Sequence, residues 1–178
     1  TDISDVSNQN LVRYFFMQFE QIVAPIAPEL RMSFIHSDAN EWNILIKGNE
    51  VSALIDFGDM VYSPLINEIA TAITYISYDK ENIFEFTLPL IHAYHKIVHL
   101  QEREISILYY LIASKLCISV CHSAHAKKQD PGNTYASVSE KNAWKMLYKL
   151  LEINPISLEN AIFSKLNINK SKPLKEEL

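Results

Sequence analysis

Glycine is almost missing. The 178-residue chain has three, at positions 48, 58 and 132, so it contains no glycine-rich loop of the kind that cradles nucleotide phosphates. Cysteine is scarce as well. Cys117 and Cys121 lie four apart in an apolar helical pattern, and read as buried free thiols of a cytoplasmic protein rather than as a disulfide or a metal pair. Positive charge is in deficit, with 16 Lys and Arg against 21 Asp and Glu. The net charge of −5 and the scatter of the basic residues argue against a nucleic-acid surface. No signal peptide is visible. The longest apolar run, Ile105 to Cys121, is broken by Lys115 and short for a membrane span, so it reads as a core helix, with no membrane partner. Hydrophobic residues make up 48% of the chain, enough for a single core.

Helical periodicity dominates. Asp2, Ser4 and Asp5 offer caps for a first helix carrying Leu11, Phe15, Phe19 and Ile22, which Pro25 and Pro28 end. Arg31 to Ile35 reads as a short strand. Ile44-Leu45-Ile46 and Val51 to Ile55, joined by Lys47-Gly48-Asn49-Glu50, read as a β-hairpin. Asp59 to Ser63 is expected as a loop, with Pro64 in the first turn of a helix that runs to Ser77 and buries Leu65, Ile69, Ala72, Ile73 and Ile76. Further helices are expected at Asn82 to Leu100, kinked at Pro89, at Glu102 to Lys127, at Ser137 to Ile153 and at Ser157 to Leu166. Gln129 to Asn133 is a turn, and Asn167 to Leu178 a polar tail. The expected class is mainly α with a small β-hairpin, an α+β arrangement.

Chemistry concentrates in His36-Ser37-Asp38, Asn43 and Asp56-Phe57-Gly58-Asp59, each following or leading a short apolar run. Phosphoryl transfer from a nucleotide needs a carboxylate to align the attacking hydroxyl, and hard oxygen ligands to hold Mg²⁺ against the phosphates. Asp38 suits the first task, Asn43 and Asp56 the second. The hairpin gives the spacing a geometric reason, because it brings the Asn43 and Asp56 ends of its strands together.

At these residues the chain resembles the aminoglycoside phosphotransferase and choline kinase family, distant relatives of protein kinases that phosphorylate small-molecule hydroxyls. The resemblance implies the C-terminal lobe of a protein-kinase-like phosphotransferase fold, with ATP and Mg²⁺ as cofactors. It casts Asp38 as catalytic base, and Asn43 and Asp56 as metal and nucleotide ligands. His36 joins Asp38 as a catalytic candidate, as a buried residue that bonds the loop and orients Asp38, with direct proton transfer the alternative. Ser37 departs from the family's usual glycine. Asp59 is a candidate for the metal or a substrate amine, and Glu68 for a helix-to-loop hydrogen bond or substrate contact. A protein kinase fits less well, since position 37 is not arginine and no Ala-Pro-Glu segment follows Asp-Phe-Gly.

Asn67-Glu68-Ile69-Ala70, Ser119-Val120-Cys121, Asp130 to Tyr135, Ser139-Glu140 and Ala143-Trp144 look like the hydroxylysine kinase branch, some bacterial members of which carry a fused class-III aminotransferase-like domain. The acceptor implied is a small amino alcohol or hydroxy-amino acid. Residues 1–166 are expected to form the lobe, 167–178 its tail, and a separate N-terminal lobe of the parent chain to supply the glycine-rich loop and the ATP-pairing lysine. The alternative is a non-catalytic, pseudokinase-like nucleotide-binding or regulatory module. Cys117, Cys121 and His125, with His122 nearby, and the trio His92, His95 and His99, each lie along one helix, and one straight helix cannot wrap a tetrahedral ion.

Overall fold

Asp5 starts the first helix by accepting the Asn8 N–H (2.8 Å), which satisfies one of the donors that a helix start leaves open. Helix α1 (Val6–Gln18) buries Leu11, Val12 and Phe15 and passes into a π-helical turn, Phe19–Val23, before Pro25. The computed structural model describes residues 2–130 and 135–170. A 3₁₀ turn over Ala27–Glu29 then leads into strand β1 (Met32–Ile35).

Strands β2 (Ile44–Lys47) and β3 (Glu50–Leu54) form the expected antiparallel hairpin, with Lys47 opposite Glu50 and a bulge between Leu45 and Ile46. Its two-residue turn is led by Gly48 at φ 65°, a conformation that glycine adopts without steric cost. The expected loop after Asp59 is instead partly strand. Strand β4 (Val61–Pro64) pairs antiparallel with β1, Ile35 facing Val61 and Met32 facing Pro64. Four residues are too few to show a strand period, and a proline with no N–H to give can still close an edge strand. The β part is therefore two small sheets, and α2 (Ile66–Ile76) begins after Pro64 rather than on it. Ile69, Ala70, Ile73 and Thr74 are buried, whereas Ile76, expected inside, faces out.

Helix α3 (Ile83–Ile97) runs through Pro89 on its exposed side and stops before Leu100. Helix α4 (Glu102–Gln129) is the centre of the fold. It is long and apolar enough to cross a membrane, yet Ile107, Leu108, Ile112, Leu116, Cys117 and Val120 are buried against α1, α2 and the two helices that follow. Each fully buried Ile or Leu side chain contributes about 1.5–3 kcal/mol. Helix α5 (Tyr135–Glu152) packs along α4, tied by the Tyr109 hydroxyl donating to the Leu150 carbonyl (2.6 Å). Helix α6 (Pro155–Leu166) starts two residues earlier than expected, capped by Asn154 with Pro155 in its first turn. Residues 131–134 of the expected turn and 171–178 of the expected tail lie outside the described residues.

One long-range ion pair ties the β segment to the core. Glu104, 1% exposed in the first turn of α4, accepts both Arg31 Nε (2.9 Å) and a terminal guanidinium nitrogen (2.6 Å), and also the Gln101 N–H (2.8 Å). Arg31 also donates to the His99 carbonyl (2.9 Å) and leads directly into β1. Removing one partner of a buried pair strands the other, and the partial exposure of Arg31 moderates the loss. Arg31→Met is expected to lower unfolding free energy by about 2–3 kcal/mol in urea titrations, with Arg31→Lys recovering only part.

His95 lies at the same junction. Burial, then His99 and His92, push His95 below its usual pKa, and its Nδ1 accepts the Leu100 N–H (3.0 Å). A depressed histidine binds fewer protons folded than unfolded, so its contribution is complete above the unfolded pKa of about 6.5 and is lost as pH falls through the folded value. Melting temperatures measured from pH 7 to pH 5 should fall less steeply for His95→Gln than for the parent protein.

Candidate active site

Strand β1 delivers His36, buried, to the start of the loop. Its Nε2 pairs with the Ile55 carbonyl (2.8 Å), and a carbonyl only accepts, so this nitrogen carries the proton. Nδ1 is then the acceptor for the Asp38 N–H (3.3 Å). Both ring nitrogens are engaged, and the ring meets Phe57 edge-on at 5.1 Å. Ser37 has φ 65°, a left-handed conformation that costs an L-residue about 1–2 kcal/mol. It is held from two sides. Its N–H donates to Glu68 Oε2 (3.0 Å) in the first turn of α2, and its carbonyl accepts Lys115 Nζ (3.1 Å) from the middle of α4.

The carboxylate of Asp38 is positioned by three side chains. Oδ1 accepts the Tyr75 hydroxyl, and Oδ2 accepts Asn40 Nδ2 (3.0 Å) and Asn43 Nδ2 (2.9 Å). Asn43 Nδ2 also donates to the Asp38 main-chain carbonyl (2.8 Å), and Asn40 Oδ1 accepts the N–H groups of Trp42 (2.8 Å) and Asn43 (3.2 Å). Burial, then the bond to Asp38, push the Tyr75 pKa upward, so the phenol stays a proton donor at ordinary pH. A carboxylate has about four acceptor sites, so Asp38 keeps capacity for a further hydroxyl.

The hairpin continues past its last pair, with the Ile55 N–H donating to the Asn43 carbonyl (2.9 Å). Asn43 and the residue before Asp56 are therefore hydrogen-bonded neighbours. Asp56 is left-handed (φ 61°), and its Oδ1 accepts the Gly58 N–H (3.4 Å). A Cβ at position 58 would sit 3.3 Å from that same oxygen, so glycine keeps the carboxylate uncrowded. Asp59 lies exposed one residue on, and among the described residues no hydrogen bond joins it to Asp38 or Asn43.

Sequence reading missed Asn40, Tyr75 and Lys115. Tyr75 lies seven residues after Glu68, two helical turns along α2, so both face the loop. That polar stripe within an apolar helix was the available signal. Lys115 was visible only as the charge interrupting the apolar run of α4. Away from the loop, His125 Nδ1 meets Asp2 Oδ2 (2.8 Å), His95 takes the Leu100 N–H, and His92 Nδ1 is buried with no hydrogen-bond partner among the described residues. Burial pushes the Cys117 thiol up to about 12.

Residues 11–105, which contain this whole loop and the hairpin, match the model of the phosphotransferase enzyme family. The chain belongs to that family. Among curated proteins, this family member is 25% identical over 171 residues to "Hydroxylysine kinase" of Mus musculus, covering 90% of this chain and 46% of the relative. It is 25% identical over 166 residues to "Hydroxylysine kinase" of Bos taurus, covering 88% and 44%. The chain thus spans about half the length of the curated relatives it matches. No solved structure matches it.

For a phosphotransferase the oxygen donors fit a hard cation. Among the described residues Asn43 uses only its NH₂ group toward the protein, which leaves the amide oxygen for a ligand, and Asp56 is an exposed carboxylate lightly held by one long hydrogen bond. Glycine at position 37 would relieve the left-handed strain and return about 0.5–1 kcal/mol as chain entropy. Ser37→Gly is therefore expected to leave unfolding free energy unchanged or raise it by about 1 kcal/mol in urea titrations, whereas Ser37→Val should lower it.

Proposed function

We propose that the chain is the catalytic part of an ATP- and Mg²⁺-dependent kinase that phosphorylates the hydroxyl of a small molecule. The observation that carries this reading is Asp38 itself. Its carboxylate is fixed by Tyr75, Asn40 and Asn43 at the mouth of a loop that also sets Asn43 beside the Asp56 segment. Asp38 orients the acceptor hydroxyl and takes its proton late, since the transition state is loose and early proton abstraction gains little. His36 acts through Asp38 as a positioning residue, with its two nitrogens spent on the Asp38 N–H and the Ile55 carbonyl. Asn43 and Asp56 would hold Mg²⁺, which supplies charge neutralisation at the phosphates when bound. Glu68 fixes the loop through Ser37 rather than meeting substrate, and Asp59, exposed near the mouth, would take an acceptor amine.

The acceptor class is an amino alcohol or hydroxy-amino acid, of hydroxylysine, homoserine or choline type, or an aminoglycoside. The similarity to relatives named hydroxylysine kinase favours the hydroxylysine end of that range. The exposed apolar residues Phe34, Trp42, Ile46, Val51, Phe57 and Tyr62, all on the two sheets and the loops beside them, support an N-terminal lobe of the parent protein covering that side.

The test is acceptor-dependent ADP release by the full-length protein with hydroxylysine, homoserine, choline, ethanolamine and an aminoglycoside. Asp38→Ala should lower kcat about 10³-fold while leaving ATP affinity within about twofold. Asp56→Ala should raise the Mg²⁺ concentration needed for half-maximal rate by at least about tenfold. Mg-ATP binding with no ADP release for any acceptor would instead favour a regulatory module.

A further inference from the structure

A cavity of about 370 Å³ lies beneath the loop, within the range of small-molecule sites. Phe19, Val23, Leu30, Leu111 and Ile118 give it apolar walls, Ser37 touches it from the loop, and Asp38, Asn43 and Asp56 are not among its lining residues. Two polar groups in it have unused capacity. Ser114 is 7% exposed, and its hydroxyl, sealed in its present rotamer, has no hydrogen-bond partner among the described residues, a condition that costs a protein free energy and that a turn of the side chain toward the cavity would let a ligand relieve. Lys115, the next residue, is the single charged side chain among the described lining residues. Of its three N–H donors one is on the Ser37 carbonyl, and the ammonium stands 6.0 Å from the Tyr75 ring centre.

Ser63 and Asn67, bonded to each other (3.0 Å), and Thr71 also line the chamber, but among the described lining residues there is one cation and no carboxylate, so it selects its ligand by charge. A cationic amine would meet Lys115 with nothing to balance it, and a neutral hydrocarbon would leave Ser114 unpaired. We propose that this cavity is a second binding site, for a small aliphatic carboxylate whose head group takes hydrogen bonds from Lys115 and Ser114 and whose tail lies against Phe19, Leu111 and Ile118. The site shares Ser37 and Lys115 with the clamp that shapes the loop but includes none of Asp38, Asn43 and Asp56, so it holds whether or not their assignment to phosphoryl transfer does.

Titration calorimetry on the full-length protein without nucleotide tests this, with butyrate, hexanoate and octanoate against hexylamine and 1-hexanol. The carboxylates should bind saturably, each methylene tightening binding about three- to fourfold. Hexanol should bind at least about tenfold more weakly than hexanoate, and hexylamine not at all. Lys115→Met should weaken hexanoate at least tenfold while leaving hexanol unchanged. Ser114→Ala, which deletes an unpaired hydroxyl and so spares the fold, should weaken hexanoate about threefold to tenfold and serves if Lys115→Met does not fold. Hexylamine binding as tightly as hexanoate, hexanoate affinity unchanged in Ser114→Ala and Lys115→Met, or no saturable binding at millimolar concentration by any carboxylate, would overturn the proposal.

Discussion

A left-handed serine held between an anion and a cation sets the geometry on which the rest depends. Ser37 turns the chain from β1 into the loop, its N–H on Glu68 of α2 and its carbonyl on Lys115 of α4. The strain at this residue persists because two core helices hold it there. Those helices are anchored in turn. Helix α4 is surrounded by the core, and its first turn grips Arg31 just ahead of β1. The carboxylate of Asp38 therefore inherits the rigidity of the helical body although it sits on a loop.

Ile55 plays the complementary part on the other side. Its carbonyl accepts from His36, its N–H donates to the Asn43 carbonyl, and Asp56 follows it. One backbone unit thus joins the three segments that carry the candidate chemistry. The hairpin beyond it contributes little to the core and leaves Trp42, Ile46 and Val51 largely exposed. Its role is positional.

Much of this was legible in the sequence because the signals were local. The Gly48-Asn49 turn between two apolar runs fixed the hairpin, and that hairpin explains the interval between Asn43 and Asp56. The long helices announced themselves through periodicity and caps, α4 despite a hydropathy that alone also fits a membrane span. What stayed hidden needed three dimensions. Strand β4 is too short to show a period and owes its existence to pairing with β1. Tyr75 and Lys115 sit 37 and 78 residues from their partners in the loop, and a polar residue on an apolar helix does not by itself say what it reaches. Asn40 reads as an ordinary turn residue until its amide is seen on Asp38.

The most direct measurement is phosphorus NMR of Mg-ATP incubated with the full-length protein and hydroxylysine or homoserine. A new phosphomonoester resonance that grows in step with ADP, and is lost in Asp38→Ala, is the expected result. Orthophosphate alone, or a phosphomonoester signal that survives Asp38→Ala, would contradict a phosphotransferase centre built on this loop.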